Sequence, residues 1–210
     1  MHGKFIVLEG GEGSGKTSAV SWLKDELPAA QFLFTREPGG TENAEEIREV
    51  VLKNRSEQLD TFTQILLFEA ARREHVSKKI IPALESGTHV ICDRFSSSTY
   101  AYQIIAGAGA EYEKIFLDID RAARNGLEPD LTIFLDIEPK VGVARKVSSD
   151  EDLNVFDTQN LSFHEKVRSG IQAYLQKRNH VIIDAGKTQS EVREAIKETI
   201  VNYTENHAGQ

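Results

Sequence analysis

The chain has 210 residues, enough for one domain with a full core. Its 25 basic and 33 acidic residues leave a net charge of -8, and with 40% apolar and 28% charged residues it is neither a disordered nor a fibrous chain. The acidic balance argues against a nucleic-acid partner, but it leaves room for a small anion held by locally clustered cations. The single cysteine, Cys92, permits no internal disulfide and no multi-cysteine zinc site, which makes a reducing, cytoplasmic compartment the expectation. No apolar run approaches the roughly 18 residues of a membrane helix, and the stretch from Met1 to Val7 is too short and polar for a signal peptide.

Short apolar runs alternate with longer helical patterns along the chain, as in a doubly wound α/β protein with a parallel sheet. Phe5-Ile6-Val7-Leu8 is the first strand, and like the others it is apolar throughout, as expected where helices cover both faces. A helical pattern runs from Thr17 to Leu27, followed by a strand at Phe32-Leu33-Phe34 and helices from Ala44 to Lys53 and Thr61 to Glu85. Gly87 stops the last of these before the strand Val90-Ile91-Cys92. A donor-rich loop from Asp93 to Gln103 leads to a helix from Glu111 to Arg124, stopped by Gly126, and to the strand Thr132-Ile133-Phe134-Leu135. The polar run Ser148-Ser149-Asp150-Glu151-Asp152-Leu153-Asn154 reads as a surface loop, either mobile or a plain connection. A helix from Leu161 to Lys177, the strand Val181-Ile182-Ile183 and a helix from Ser190 to Asn202 complete the chain. With no repeat and no dividing linker, residues 1–210 are expected to form a single domain.

Between the first strand and the first helix lies Gly10-Gly11-Glu12-Gly13-Ser14-Gly15-Lys16-Thr17, which fits the pattern G-x-x-x-x-G-K-[ST]. Its glycines let backbone N–H groups curl around phosphate oxygens, Lys16 reaches the β- and γ-phosphates, and the Thr17 hydroxyl serves a bound Mg²⁺. The third strand ends in Asp93, where a carboxylate can sit beside that ion. The chain contains neither an Asn-Lys dipeptide nor an Asp followed three residues later by Gly, which excludes a GTPase switch and favours a compact kinase of small substrates. Phe68 and Arg72, four residues apart, share a helical face that either stacks and reads a base or simply buries the ring and solvates the arginine.

Taken together, five segments make the sequence resemble thymidylate kinases of the bacterial kind. They are Phe5-Ile6-Val7-Leu8-Glu9-Gly10 with the cradle; Thr35-Arg36-Glu37-Pro38-Gly39-Gly40-Thr41; Phe68 with Ala71-Arg72; Asp93-Arg94-Phe95 with Ser98 and Ala101-Tyr102-Gln103; and the run from Asn125 to Thr132. The resemblance implies a P-loop NTPase-like three-layer fold, a parallel five-stranded sheet covered by helices on both faces, and a homodimer. It implies transfer from MgATP to dTMP, giving ADP and dTDP. Residue by residue, it places Glu12 near the acceptor sugar, Phe68 on thymine, Arg72 at the base edge, and Ser98 and Thr99 around the base, with Gln103 also among the substrate-binding residues. Arg94, helped by Arg36, would hold the acceptor phosphate, and the Tyr102 ring would crowd the sugar 2′ position and favour deoxyribose. Glu37-Pro38 matches a cis peptide.

The family places an arginine either in the cradle or in a lid over ATP, and here both positions lack one. The cradle position is Gly13, and the lid pattern reads Asn154-Val155-Phe156-Asp157. A transition-state arginine is worth roughly 10³ to 10⁵ in rate, so another cation is expected to act. Arg145 and Lys146, just before a mobile lid at about 147–159, are the candidates. A slow or non-catalytic nucleotide-binding relative, or a kinase of another deoxynucleotide, is the alternative.

Overall fold

A strand buried on both faces needs apolar side chains at nearly every position, and β1 (Phe5–Gly10) meets that condition apart from Glu9. Ile6 and Leu8 join Leu23, Ile133 and Ile196 on one face of the sheet. Phe5 and Val7 join Ile80, Leu84 and Val90 on the other, so alternate residues of one strand feed two cores. The computed structural model describes residues 2–53, 56–107, 109–148 and 153–207. Ser149 to Asp152, within the expected lid, lie outside the described residues.

With β1 lie β2 (Phe32–Arg36), β3 (His89–Asp93), β4 (Leu131–Asp136) and β5 (His180–Asp184), all parallel, in the order β2-β3-β1-β4-β5. All five expected strands therefore form. Leu8 pairs with Asp93 on one side and Ile133 on the other. The chain leaves β1 toward one edge and crosses to the other after β3, so the C-terminal ends of β1 and β3 border the reversal point where such sheets bind ligands.

In chain order the helices are α1 (Lys16–Glu26), α2 (Glu42–Leu52), α3 (Thr61–His75), α4 (Ile81–Glu85), α5 (Ser96–Thr99), α6 (Glu113–Ala123), α7 (Pro139–Val147), α8 (Leu161–Leu175) and α9 (Gln189–Asn206). α1 and α9 cover one face of the sheet, while the α3–α4 rod, α6 and α8 cover the other. Gly87 and Gly126 adopt φ of 85° and 74°, the left-handed geometry of a helix stop.

The structure departs from the sequence expectations in four places. The span from Thr61 to Glu85 is not one regular helix, because a π-helical turn at Val76–Ile80 joins α3 to α4. Pro82, which has no N–H to donate, stands two residues past that turn, at the second position of α4. Most of the segment Asp93–Gln103, read as a loop from its hydroxyl content, is helical from Ser96 on: α5 runs into a π-helical segment, Tyr100–Ala106, packed on α8. α7 carries no strong periodic signal and was not separately expected. β5 is an edge strand with Val181 and Ile182 exposed, so its apolar run is not covered on both faces.

Candidate active site

The cradle forms because its glycines adopt backbone angles closed to other residues. Gly13 and Gly15 have φ of 65° and 88°, and Gly15 leads directly into α1. A Cβ at Gly13 would run into the Gly142 carbonyl, and one at Gly142 into the Glu12 carbonyl, so this glycine pair lets α7 rest against the cradle backbone. The Lys16 ammonium folds onto the loop and donates to Gly10 O at 2.8 Å, Gly11 O at 3.0 Å and Ser14 Oγ at 3.2 Å. Burial and the nearby Arg94 guanidinium pull its pKa below the usual lysine value.

The cradle opens into a cleft of about 1040 Å³. Glu12 to Thr17, Arg36, Phe68, Arg72, Asp93, Arg94, Ser98, Thr99, Tyr102, Gln103, Arg145 and Lys146 all line it. Of the cradle residues, Gly10 ends β1 and Gly11 faces a separate small cavity beside His164. The fold thus gathers side chains spread over more than a hundred residues at one sheet edge.

Arg94 lines this cleft with φ of 68°, a strained conformation for a side-chain-bearing residue. Its Nη2 donates to Glu12 Oε1 at 2.7 Å, and its Nη1 donates to Gly10 O and Ser98 Oγ, each at 3.1 Å. Its guanidinium carbon also lies 5.2 Å from the centre of the Tyr102 ring. The Tyr102 hydroxyl donates to the same Glu12 oxygen at 2.7 Å. Burial alone would raise the Glu12 pKa, but Arg94 and Lys16 hold it at about 2. Ser98 in turn donates to Glu9 Oε1 at 2.8 Å, so its hydroxyl links Arg94 to a buried acid of β1.

Arg72 is placed more deeply than a base reader alone would be. It is 2% exposed, with Nε donating to Glu37 Oε2 at 2.8 Å, Nη1 to Asp120 Oδ1 at 3.3 Å and to Glu69, and Nη2 to Thr99 Oγ1 at 3.0 Å. These bonds take four of its five N–H donors, leaving one on Nη2. Burial and the neighbouring Asp120 push the Glu69 carboxyl up to about 7. His75 bridges Thr35 at 2.7 Å and Glu37 at 3.0 Å, which fixes the strand end that carries the cis Glu37-Pro38 peptide.

Three features have the polarity of ligand contacts. Asp93 Oδ1 is buried with no hydrogen-bond partner among the described residues, and it lies in the same cleft as Thr17. The Gln103 amide donates to Gln64 at 3.2 Å, while its Oε1 is buried without a donor among the described residues. Phe68 stands 6.2 Å from Phe156, which meets Tyr102 edge-on at 5.7 Å, so aromatic faces flank the cleft. Arg36 is exposed and pairs with Glu45 at 2.8 Å, and Arg145 donates to Ala185 O at 2.8 Å.

Sequence reasoning missed Arg48, which lines the cleft from α2 and donates to Pro38 O at 2.8 Å. A single arginine on an amphipathic helix gives no local signal. Glu9 was quoted only as part of a motif, although an acid inside an otherwise apolar strand is itself a signal. It is fully buried and accepts from Ser97 and Ser98.

A strand, a glycine-rich phosphate cradle and a helix at the reversal point of a parallel sheet define a P-loop nucleotide-binding protein. The family model for thymidylate kinase matches residues 8–196. A thymidylate kinase from Geobacillus sp. (strain WCH70) is 42% identical over 197 residues, covering 91% of this chain and 93% of the relative. One from Staphylococcus haemolyticus (strain JCSC1435) is 41% identical over 203 residues, 95% and 98% of the two chains. One from Marinomonas sp. (strain MWYL1) is 41% identical over 219 aligned positions, 100% and 99%. The chain belongs to the thymidylate kinase family.

Proposed function

We propose that the chain transfers the γ-phosphoryl group of MgATP to dTMP, giving ADP and dTDP. The observation that carries this reading is a single cleft holding a phosphate cradle at one end and an aromatic, amide-bearing wall at the other, with Arg94 between them. The acceptor phosphate has a second pKa near ~6 and is already largely ionised at neutral pH, so positioning and electrostatics do the chemistry. Lys16 and the cradle N–H groups hold the donor phosphates. Arg94, supported by Arg36 and Arg48, brings in the acceptor and offsets repulsion between the two phosphates. Phe68 stacks the base, Arg72 offers its remaining N–H to the base edge, and the buried Gln103 carbonyl accepts from a ring N–H. Ser98 and Thr99 line the same end, and Glu12 with Tyr102 frames the sugar.

Thr17 and the unpartnered Asp93 oxygen suit a divalent cation whose shell is completed by phosphates. When bound, Mg²⁺ supplies charge neutralisation at the β- and γ-oxygens. Arg145 or Lys146, both lining the cleft, supplies the further positive charge that the family takes from a cradle or lid arginine. Alanine at both positions is expected to lower turnover far more than threefold; a smaller change refutes the assignment. Residues around 153–159 act as the lid that keeps water out.

Val50 on α2, Leu66 on α3 and Ile115 and Leu117 on α6 are exposed apolar side chains on mutually packed helices, which supports a homodimer. No helix among the described residues is long and apolar enough to cross a membrane, and the lone buried Cys92 suits a reducing cytoplasm. Nucleotide product formation across dTMP, dUMP, dCMP and dGMP tests the substrate. Preference for dTMP supports the reading, and equal rates with dCMP overturn it. Binding of MgATP and dTMP with no dTDP in a single turnover would instead identify a non-catalytic relative.

A further inference from the structure

The Gln103 side chain is 1% exposed and lines the cleft. Its Oε1 receives no donor among the described residues, while its Nε2 donates to Gln64 Oε1 at 3.2 Å. The two ends of a glutamine amide have nearly the same shape and opposite hydrogen-bonding character, so what holds one end decides what the other offers. Gln64 is that holder. It lies near the start of α3, four residues before Phe68 and eight before Arg72, on the stripe that carries both.

The orientation is set by a backbone carbonyl. Leu59 O can only accept, and Gln64 Nε2 donates to it at 2.8 Å, which leaves Gln64 Oε1 for Gln103. An oxygen there requires a donor, so Gln103 turns its nitrogen to Gln64 and keeps its oxygen free. Thr61 Oγ1 donates to Gly107 O at 3.1 Å, a second tie between the start of α3 and the π-helical segment that carries Gln103. Arg72 retains one N–H on Nη2, and a guanidinium can only donate. Gln103 and Arg72 thus offer one acceptor and one donor. The edge of a 4-keto pyrimidine supplies the complement, a ring N3–H beside O4, whereas a 4-amino pyrimidine supplies the reverse, an unprotonated N3 beside an amino group.

We propose that Gln64 is a positioning residue that sets specificity for the acceptor base: by accepting from Gln103 Nε2 it keeps the Gln103 oxygen available to the ligand and so selects a keto pyrimidine over an amino pyrimidine. Without an acceptor at position 64 the Gln103 amide is free to turn over and to offer its NH₂ to the ring nitrogen of the amino base. This inference rests on the thymidylate kinase reading of the cleft, with Phe68, Arg72 and Gln103 at the base.

Dissociation constants for dTMP, dUMP and dCMP, the last two by displacement of bound dTMP, test this without turnover. The preference for dTMP over dCMP should fall about 5- to 100-fold in Gln64→Leu, because the hydrogen bond that orients Gln103 is gone. In Gln64→Glu, whose carboxylate still accepts from Gln103, the preference should stay within about threefold of wild type. The ratio of dUMP to dTMP should be unchanged in both variants, since these bases share the keto edge and differ only in the 5-methyl group. MgATP affinity should be unchanged as well. A wild-type preference retained in Gln64→Leu overturns the role of Gln64. So does a parallel loss of affinity for all three acceptors, which a merely structural change would give, or Gln64→Glu behaving like Gln64→Leu. Wild-type protein that does not bind dTMP overturns the reading of the cleft itself, so the two failures are told apart.

Discussion

At Gly13 a side chain has nowhere to go, since the backbone is left-handed and the Gly142 carbonyl occupies the space a Cβ would need. Placing the family's cradle arginine there, Gly13→Arg, is therefore expected to destabilise the fold by at least about 2 kcal/mol and to lower kcat. Thermal unfolding and steady-state turnover check this together, and a faster, equally stable variant would contradict it. At Lys16, loss of the ammonium in Lys16→Met should lower kcat by roughly 10² to 10³ with the fold intact, because one preorganised charge is withdrawn from the transferred phosphoryl. Tyr102 separates two roles by substitution. Tyr102→Phe keeps the ring and loses the bond to Glu12, so discrimination against the ribonucleotide should persist; Tyr102→Ala opens the 2′ space and should relax it, measured as the ratio of kcat/KM for the two acceptors.

Between elements, the main electrostatic joint is the cluster in which Arg72 of α3 ties Glu37, beyond β2, to Asp120 of α6 and Thr99 of α5. Asp120 is also bonded to Arg124 at 2.8 Å, so two guanidiniums serve the buried carboxylates. Arg72→Ala leaves those acids without their central cation and should cost about 3–5 kcal/mol in urea unfolding, beyond any effect on base binding. Glu69 in the same cluster has its folded pKa raised to about 7, above its unfolded value. The folded state therefore binds the extra proton, and the stability this confers is full below about pH 4.5 and lost as pH rises through 7. Unfolding free energy measured from pH 5 to 8 should fall in wild type, by up to about 3 kcal/mol, relative to Glu69→Gln. The two π-helical turns belong to this scale as well. The second holds Tyr102 and Gln103, and the first holds Lys79, which lines the cleft and donates to Gly40 O at 2.8 Å.

For the whole molecule, the exposed apolar residues on α2, α3 and α6 predict association: sedimentation should give a dimer for wild type and a monomer for the double variant Leu66→Lys, Leu117→Lys. The five strands, the cradle and Asp93-Arg94 were legible in the sequence because each is a local pattern, an apolar run or a fixed spacing whose geometry the backbone enforces over a few residues. The helical state of residues 96–106 was not, because their hydroxyls signal caps and turns, whereas packing on α8, where Gly170 meets Ala101, makes them helical. Nor did spacing foretell that Arg94 and Tyr102, 82 and 90 residues from Glu12, would meet on one of its oxygens. The same is true of the burial of Arg72 among acids. The sequence by itself determined which strands form and where the glycine-rich cradle lies. Only the tertiary structure decided which charges face one another, since contacts between distant residues depend on how helices pack, and no local pattern carries that information.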